Sequence, residues 1–335
     1  MRRMPAFLCA LALLLALAGC TRGGGADASA FAPAEEDRLV IFTSHKENVY
    51  RPIIEEFEQR TGIWVEVESG GSMTMLGRIA AGDSGCDLMF GGGADSLTAY
   101  GDCFAPYESE NAAFLAPEYD LGGGVWTPFS TLSLVLVYNT KLVRQNLPQG
   151  WGDLLDPGWR GRIAFADPAV SGSAYTALCT LLQVRGGDPE PTLSSFARNL
   201  SYTTLPDSGD VVAAVADGRC YIGVTLEENA RSAVAEGLDV AIIYPAEGTS
   251  VLPDGAAVVK GCRHENNARR FIDFLLLPET QRHLALETSR RSVRADMESE
   301  DLTEIRELPY DLVWAGTQRE TLLARWQELC GEETP

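Results

Sequence analysis

Positive charge, histidine and paired cysteine are all scarce in this chain of 335 residues. Against 47 acidic side chains stand 27 basic ones, a formal net charge of −20, which argues against a nucleic-acid face and against a basic patch for anionic lipid. The three histidines, His45, His264 and His283, are scattered along the chain, so a histidine-rich metal centre is not expected. None of the eight cysteines forms a C-x-x-C pair, which removes the common zinc clusters. A G-x-S-x-G nucleophile elbow is also missing; "SGSAY" and "DSGDV" come nearest and lack it. A serine triad would have to draw on those same histidines, and His264 and His283 fall in a polar turn and an amphipathic helix, where exposed structural roles are expected. Glu227 and Glu228 are adjacent, would face opposite ways on a strand, and make a poor acid and base pair. With no Walker sequence, any ATP-driven step belongs to another chain. These absences speak against a secreted hydrolase or transferase, and no cofactor is implied.

What the chain does have begins at its N-terminus. Arg2 and Arg3 precede "AFLCALALLLALAG", an apolar run too short to span a bilayer comfortably, which reads as a secretory signal over residues 1–19. Leu17-Ala18-Gly19-Cys20 resembles a bacterial lipobox; the alternative is an ordinary signal peptide with an incidental cysteine. The lipobox implies that Cys20 becomes a lipid anchor, whose acyl chains tether the protein without spanning the membrane. Residues 20–37 are rich in Gly, Ala, Ser and acids and read as a flexible spacer, so folding should start near Arg38. The remaining chain suits two α/β lobes. Cys86, Cys103, Cys179, Cys220, Cys262 and Cys330 lie within it, an even set that permits disulfides in an exported protein without fixing their connectivity.

From Arg38 the hydrophobic pattern alternates between two periods. "RLVIFTS" is a nearly continuous apolar run, as in a parallel strand covered on both faces, and it is followed by a helical stripe at Val49, Ile53, Ile54 and Phe57 that Gly62 stops. "IWVEVES", "MTMLGRIAAG", "CDLMFGGG" and "ADSLTAYG" extend this to β-α-β-α-β plus a helix start, a doubly wound lobe. "STLSLVLVYNTKL" is long enough to cross between lobes, "RIAFAD" and "SGSAYTALCTLL" restart the pattern, and "VAIIYPAEGTSVLPDGAAVVKG" can return the chain. An amphipathic helix pair and a final helix complete it. Each β-α junction offers backbone N–H groups and hydroxyls at a helix start, which hold anions without a formal charge. For any single junction the same Ser or Gly serves equally as a cap; repetition in both halves points to a cleft.

The stretches "FTSHKENVYRPIIEEFEQRTGIWVEV", "CDLMFGGGADSL", "VYNTKLV", "WGDLLDPGWRGRIAFADPAVSGSAY" and "YPAEGTSVLPDGAAVVKG", in that order behind a lipobox, resemble the periplasmic substrate-binding proteins of ABC importers. The likeness is to the two-lobed branch that includes ferric-iron, thiamine, 2-aminoethylphosphonate and hexose-phosphate binders. It implies an α/β fold of two doubly wound lobes joined by β hinge segments, of the type II periplasmic-binding-protein kind. The lobes are expected at 38–131 plus 251–335 and at 132–250. It also implies a monomer that hands a small solute to a membrane permease driven by a separate ATPase, on the outer face of the cell membrane.

Iron binders of this branch use a histidine after the first strand and two adjacent tyrosines in the second lobe. His45 matches the first, but the second-lobe segment reads "GVTLEENA", with Glu227 and Glu228 and no tyrosine pair, so His45 and Glu227 are the ligands to expect if iron is bound. The "LPDSGD" and "EGTSVLPDG" loops look more like the branch that takes phosphorylated or phosphonate solutes. In that reading Thr43, Ser44, His45, Gly70, Gly71, Ser72 and Gly92 form the first-lobe wall of a ligand site. Ser171, Gly172, Ser173, Asp207, Ser208 and Gly209 face them, and Glu227 or Glu228 accepts from sugar hydroxyls or pairs with a ligand amine. Thiamine or its phosphate competes, since a cationic ring would favour an acidic, aromatic-lined cleft. Trp126, Trp151 and Trp159 are the large aromatics at hand, with core or hinge packing the expected role.

Overall fold

Residues 32–82, 85–201, 203–288, 290–297 and 305–331 are described by a computed structural model. The expected leader over 1–19, the Cys20 anchor and the spacer as far as residue 31 lie outside the described residues. A compact unit starts at Arg38.

Strand β1 (Arg38–Thr43) runs into helix α1 (Glu47–Thr61), β2 (Trp64–Ser69), α2 (Ser72–Ala80), β3 (Leu88–Gly93) and α3 (Ala94–Ala99). The long β4 (Thr127–Asn139) follows, then β5 (Ile163–Ala164), α4 (Gly172–Arg185), α5 (Pro189–Asn199), α6 (Ser208–Ala216), β6 (Ile222–Leu226) and α7 (Glu227–Ala235). The chain closes with β7 (Val240–Ile243), β8 (Val251–Val258), α8 (Glu265–Leu275), α9 (Pro278–Thr288), β9 (Arg291–Ser292) and α10 (Leu312–Gly331). Strand order is β2-β1-β3-β8-β4-β6-β5, with β7 and β9 also pairing to β4.

Burial follows position in that order. β1 lies between β2 and β3, parallel to both, and its Leu39, Ile41 and Phe42 are buried on the two faces. β2 is the edge strand, so Val65 points in while Trp64 and Glu66 stay in solvent. Helix α1 lays Val49, Ile53, Ile54 and Phe57 on the sheet and ends at Gly62, whose φ of 73° suits a residue without Cβ.

The two lobes meet along β4 and β8. From Thr127 to Ser133 β4 pairs antiparallel with β8, and from Leu134 to Tyr138 with β6, so one strand belongs to both sheets and changes partner at Ser133/Leu134. This is the two-lobed α/β fold with β segments at the hinge. The first-lobe core holds an edge-to-face run of rings, Phe57 to Phe271 at 4.9 Å, Phe271 to Phe90 at 5.4 Å and Phe90 to Phe129 at 5.0 Å. The second core gathers Trp151, Phe165, Tyr175, Phe196 and the aliphatic side chains of β4, α4 and α6.

Helix α10 departs from the expected assignment of 251–335 to the first lobe. Its Ala315, Leu322 and Trp326 are part of the second-lobe core, with Trp326 6.1 Å from both Phe165 and Phe196, while Leu312 packs against a first-lobe cluster. The chain therefore crosses between lobes a third time. Contacts across distant sequence carry no periodic signature, so the amphipathic pattern of this helix says that it packs but not on which lobe. None of the six cysteines of the folded part is bridged: Cys103, Cys179, Cys220, Cys262 and Cys330 are thiols, and the Cys86 thiol donates to the Leu88 carbonyl at 3.2 Å.

Trp326→Ala should cost about 3–5 kcal/mol by removing a fully buried ring from the second core. Urea unfolding followed by circular dichroism checks this, and an unchanged midpoint would refute the packing of α10 described above.

Candidate ligand cavity between the lobes

The strand ends of the first lobe and the helix starts of the second enclose a cavity of about 300 Å³, the volume of a small solute. At the end of β1 the chain turns sharply: the Ser44 N–H donates to the Phe90 carbonyl at 3.3 Å, and the His45 N–H donates to Thr43 Oγ1 at 3.1 Å. Such proximity needs glycine across the way, since a Cβ on Gly91, at φ 114°, would lie 2.5 Å from Ser44 Oγ. His45 continues the aromatic run of the core, 4.5 Å from Phe90 and 5.9 Å from Phe129, so the packing of the first lobe fixes where its ring emerges.

Most of the residues read from the sequence come together here. Ser44, His45, Gly70, Gly71, Ser72 and Gly92 line the first-lobe wall, and Ser171, Gly172, Ser173, Asp207, Ser208, Gly209 and Glu228 line the opposite one. The walls already touch along one edge: the Gly172 N–H donates to Ser72 Oγ at 3.1 Å, and Thr176 Oγ1 donates to Asp95 Oδ2 at 2.9 Å. A Cβ on Gly172 would sit 2.7 Å from Ser72 Oγ, so glycine permits this approach.

Two expected contacts stand outside the wall. Thr43 is wholly buried, with its hydroxyl turned to the His45 N–H. Glu227 accepts from Tyr244 Oη at 2.8 Å and from Arg291 Nη2 at 3.1 Å. Adjacent residues at a helix start diverge by about 100°, so Glu227 turns away while Glu228 faces the cavity. The pair His45 and Glu227, expected as iron ligands, is accordingly not assembled. The expectation that His264 is exposed also fails: its Nδ1 lies 2.7 Å from the buried Oδ2 of Asp87. Trp126 and Trp151 are core residues whose indole N–H groups donate to Thr98 Oγ1 and the Gly248 carbonyl, and Trp159 packs against the second core.

Sequence reasoning missed the centre of the cavity floor. Arg290, only 4% exposed, donates through Nε and Nη2 to both oxygens of Glu228, and through Nη1 to Asp254 Oδ2 at 2.6 Å and Ser130 Oγ at 3.0 Å. Asp254 Oδ1 takes the Ser130 N–H and hydroxyl at 3.0 and 2.6 Å. Burial works against the charge of Arg290, but the two carboxylates outweigh it and hold its pKa above the usual guanidinium value. Burial pushes the Asp254 carboxyl up, opposed by Arg290. His45 Nε2, 3.6 Å from Asp254 Oδ2, has no hydrogen-bond partner among the described residues; desolvation first and the charge of Arg290 second hold its pKa well below 6.5. Asp254 stands in the "LPDG" segment, which drew notice as a loop rather than as a buried carboxylate. Arg290 follows an amphipathic helix, where an arginine ordinarily faces solvent.

Helix starts around the cavity differ in capping. Asp207 caps α6 by accepting from the N–H groups of Gly209 and Asp210 at 2.6 and 3.1 Å, and Ser171 caps α4 through Ala174 N at 3.3 Å. Helices α1 and α2 open at Lys46 and Gly71 with no side-chain cap. Their first-turn N–H groups and positive dipole ends face the side where Ser44, Ser72 and Lys46 gather. The arrangement offers an anion-accepting pole on the first-lobe side and a floor of two carboxylates that are both bound to one arginine.

A family model described as bacterial extracellular solute-binding protein matches residues 83–306. Iron uptake protein A1 of Synechocystis sp. is 28% identical over 274 residues, covering 76% of this chain and 75% of that protein. A putative 2-aminoethylphosphonate-binding periplasmic protein of Salmonella typhi is 21% identical over 75% of this chain and 76% of its own. Among solved structures, the periplasmic binding protein AfuA from Actinobacillus pleuropneumoniae, with fructose-6-phosphate bound, superposes with a TM-score of 0.81 and 26% identity over 88% of this chain and 99% of that one.

Arg290→Met leaves Glu228 and Asp254 buried without their counter-charge and should destabilise the fold by about 3–5 kcal/mol, measured by urea titration. His45 yields a pH prediction. Its folded pKa is depressed, so the stability of the neutral ring is complete above 6.5 and is lost as pH falls toward the folded value, where only the unfolded chain takes up the proton. The melting temperature should fall less between pH 7 and pH 5 in His45→Gln than in the unaltered protein. Equal slopes would refute this account.

Proposed function

This chain belongs to the bacterial extracellular solute-binding protein family, and on that premise we propose that it captures a small phosphorylated or phosphonate organic solute between its lobes. The observation that carries the reading is the pairing of two uncapped helix starts with Lys46 on one cavity wall, apart from carboxylates whose oxygens Arg290 already engages. Neutral N–H donors, hydroxyls and one ammonium are how a protein of net charge −20 gathers an anion. The relative with fructose-6-phosphate bound and the aminophosphonate-binding relative speak for the same class.

In this function the protein is the exported, monomeric receptor of an ABC importer. It is held to the outer face of the cell membrane through lipidated Cys20 and passes its solute chemically unchanged to a permease driven by a separate ATPase. A solute that touches both walls favours the closed arrangement by as much as it prefers that arrangement to the open one.

The iron-binding relatives give a second reading. Against it stands the guanidinium of Arg290 among the carboxylates that a ferric ion would need. No tyrosine is among the cavity-lining residues, and among the described residues no three His, Cys, Asp or Glu groups are grouped to hold a metal. Thiamine finds no aromatic wall beyond the His45 ring.

Thermal-shift titration against sugar phosphates, phosphonates, thiamine phosphate and ferric citrate tests the proposal. One phosphorylated or phosphonate solute should stabilise the protein by about 2.7 kcal/mol at a hundredfold excess over Kd. A shift with ferric iron alone would overturn it.

A further inference from the structure

Two cations line the cavity, Lys46 and Arg290, against three carboxylates, Asp207, Glu228 and Asp254. Each nitrogen of Arg290 is already committed, Nε and Nη2 to Glu228 and Nη1 to Asp254 and Ser130. The Lys46 carbonyl accepts from the N–H groups of Val49 and Tyr50 at 2.9 and 3.1 Å, but its ammonium makes no hydrogen bond or ion pair with a described residue. Its backbone is the N-cap of α1 in the first lobe, yet its ammonium reaches the start of α6 in the second: a Cβ on Gly209 would lie 2.8 Å from Nζ. The nearest carboxylate there, Asp207, spends Oδ1 on the Gly209 and Asp210 N–H groups.

We infer that Lys46 determines specificity, supplying the one positive charge among the described cavity-lining residues that is uncommitted, which meets the solute's phosphate or phosphonate and ties it to both lobes. The inference rests on the proposed function and deepens it. Without Lys46 the wall carries three carboxylates and one guanidinium, two of those carboxylates bound to that guanidinium, and nothing charged remains to offset a dianion stripped of water. With it, an ammonium on a flexible stem can follow the anion as the lobes move, which a planar guanidinium fixed by bidentate pairing cannot. A neutral sugar of the same shape gains nothing from this charge. Lys46 therefore sorts phosphorylated from unphosphorylated solutes, and Gly209 keeps the space into which its ammonium extends.

Lys46→Met preserves the length of the stem and removes the charge at an exposed position, so the empty protein should melt as before. Isothermal titration with fructose 6-phosphate, 2-aminoethylphosphonate, inorganic phosphate and fructose separates the sources of the anion. The variant should bind whichever of the first three the unaltered protein binds roughly ten- to hundredfold more weakly. It should also lose part of the salt dependence of that binding, a readout that a merely structural role would leave in place. Equal affinity and equal salt dependence in the variant would overturn the role of Lys46 while leaving the cavity's function standing. Binding of fructose as tight as that of its phosphate would overturn it as well. Failure of the unaltered protein to bind any of the three anions would overturn the function itself, and the inference with it.

Discussion

The guanidinium of Arg290 is the point on which the two lobes and the cavity floor depend. It enters from the segment before β9, joins Asp254 on β8 and Ser130 on β4, the two strands that cross between lobes, and grips Glu228 at the start of α7 in the second lobe. Burying three charges costs several kcal/mol per ion, and only near-complete hydrogen bonding offsets it. The offset here is thorough: both oxygens of Glu228 are engaged by Arg290, and both of Asp254 are taken by Ser130 and Arg290. Apolar side chains of equal volume in place of all three charged groups together could match this stability, so the network matters chiefly for what it fixes. It fixes the angle at which α7 meets the shared strands, and with it the floor of the cavity.

The shared strand explains how such a floor can serve a molecule that opens and closes. β4 holds the first-lobe sheet through β8 and the second-lobe sheet through β6, so relative motion of the lobes must be absorbed near Ser133 and Leu134, where the partner changes. Arg290 lies close to that point, bonded to Ser130. Contacts farther from the hinge, such as Gly172 with Ser72 and Thr176 with Asp95, join the two walls directly. Helix α10 adds a third tie, since Leu312 packs on the first lobe and Trp326 in the second. A rotation of one lobe on the other would therefore turn about buried ionic and β-sheet contacts.

Legibility in the sequence follows the range of the interaction. Strand and helix periods are local, and the stripe of Val49, Ile53, Ile54 and Phe57 or the apolar run of β1 identifies its element without reference to anything distant. Small polar residues at helix starts are legible for the same reason, which is why Ser44, Ser72, Ser171 and Ser208 come together on the cavity wall. Charge pairing across the fold is not local. Nothing near Arg290 distinguishes it from a solvated arginine, and its partners lie 36, 62 and 160 positions away. Thr43 and Glu227 mislead in the opposite direction, since residue type and neighbourhood suit a wall but a single turn of backbone points each elsewhere. His264 belongs with them, its Asp87 partner being 177 positions away.

For the anionic solute proposed above, distance reconciles the ligand with a net charge of −20. Exposed carboxylates beyond a Debye length, about 8 Å at physiological ionic strength, are screened from the cavity. Inside, the dielectric is lower and the few groups that face the solute decide. Two of the three cavity carboxylates are bound to Arg290, and the third, Asp207, caps α6, so little of their charge is directed at the solute. The helix starts of α1 and α2 present partial positive charge that no side chain consumes. Two cations against three carboxylates still leave the cavity formally negative, but the cation that no described residue engages is the Lys46 ammonium, so the charge left free to meet an anion is positive. On the proposed function, an acidic surface disfavours adhesion of the anion outside the place where the N–H groups and the ammonium converge.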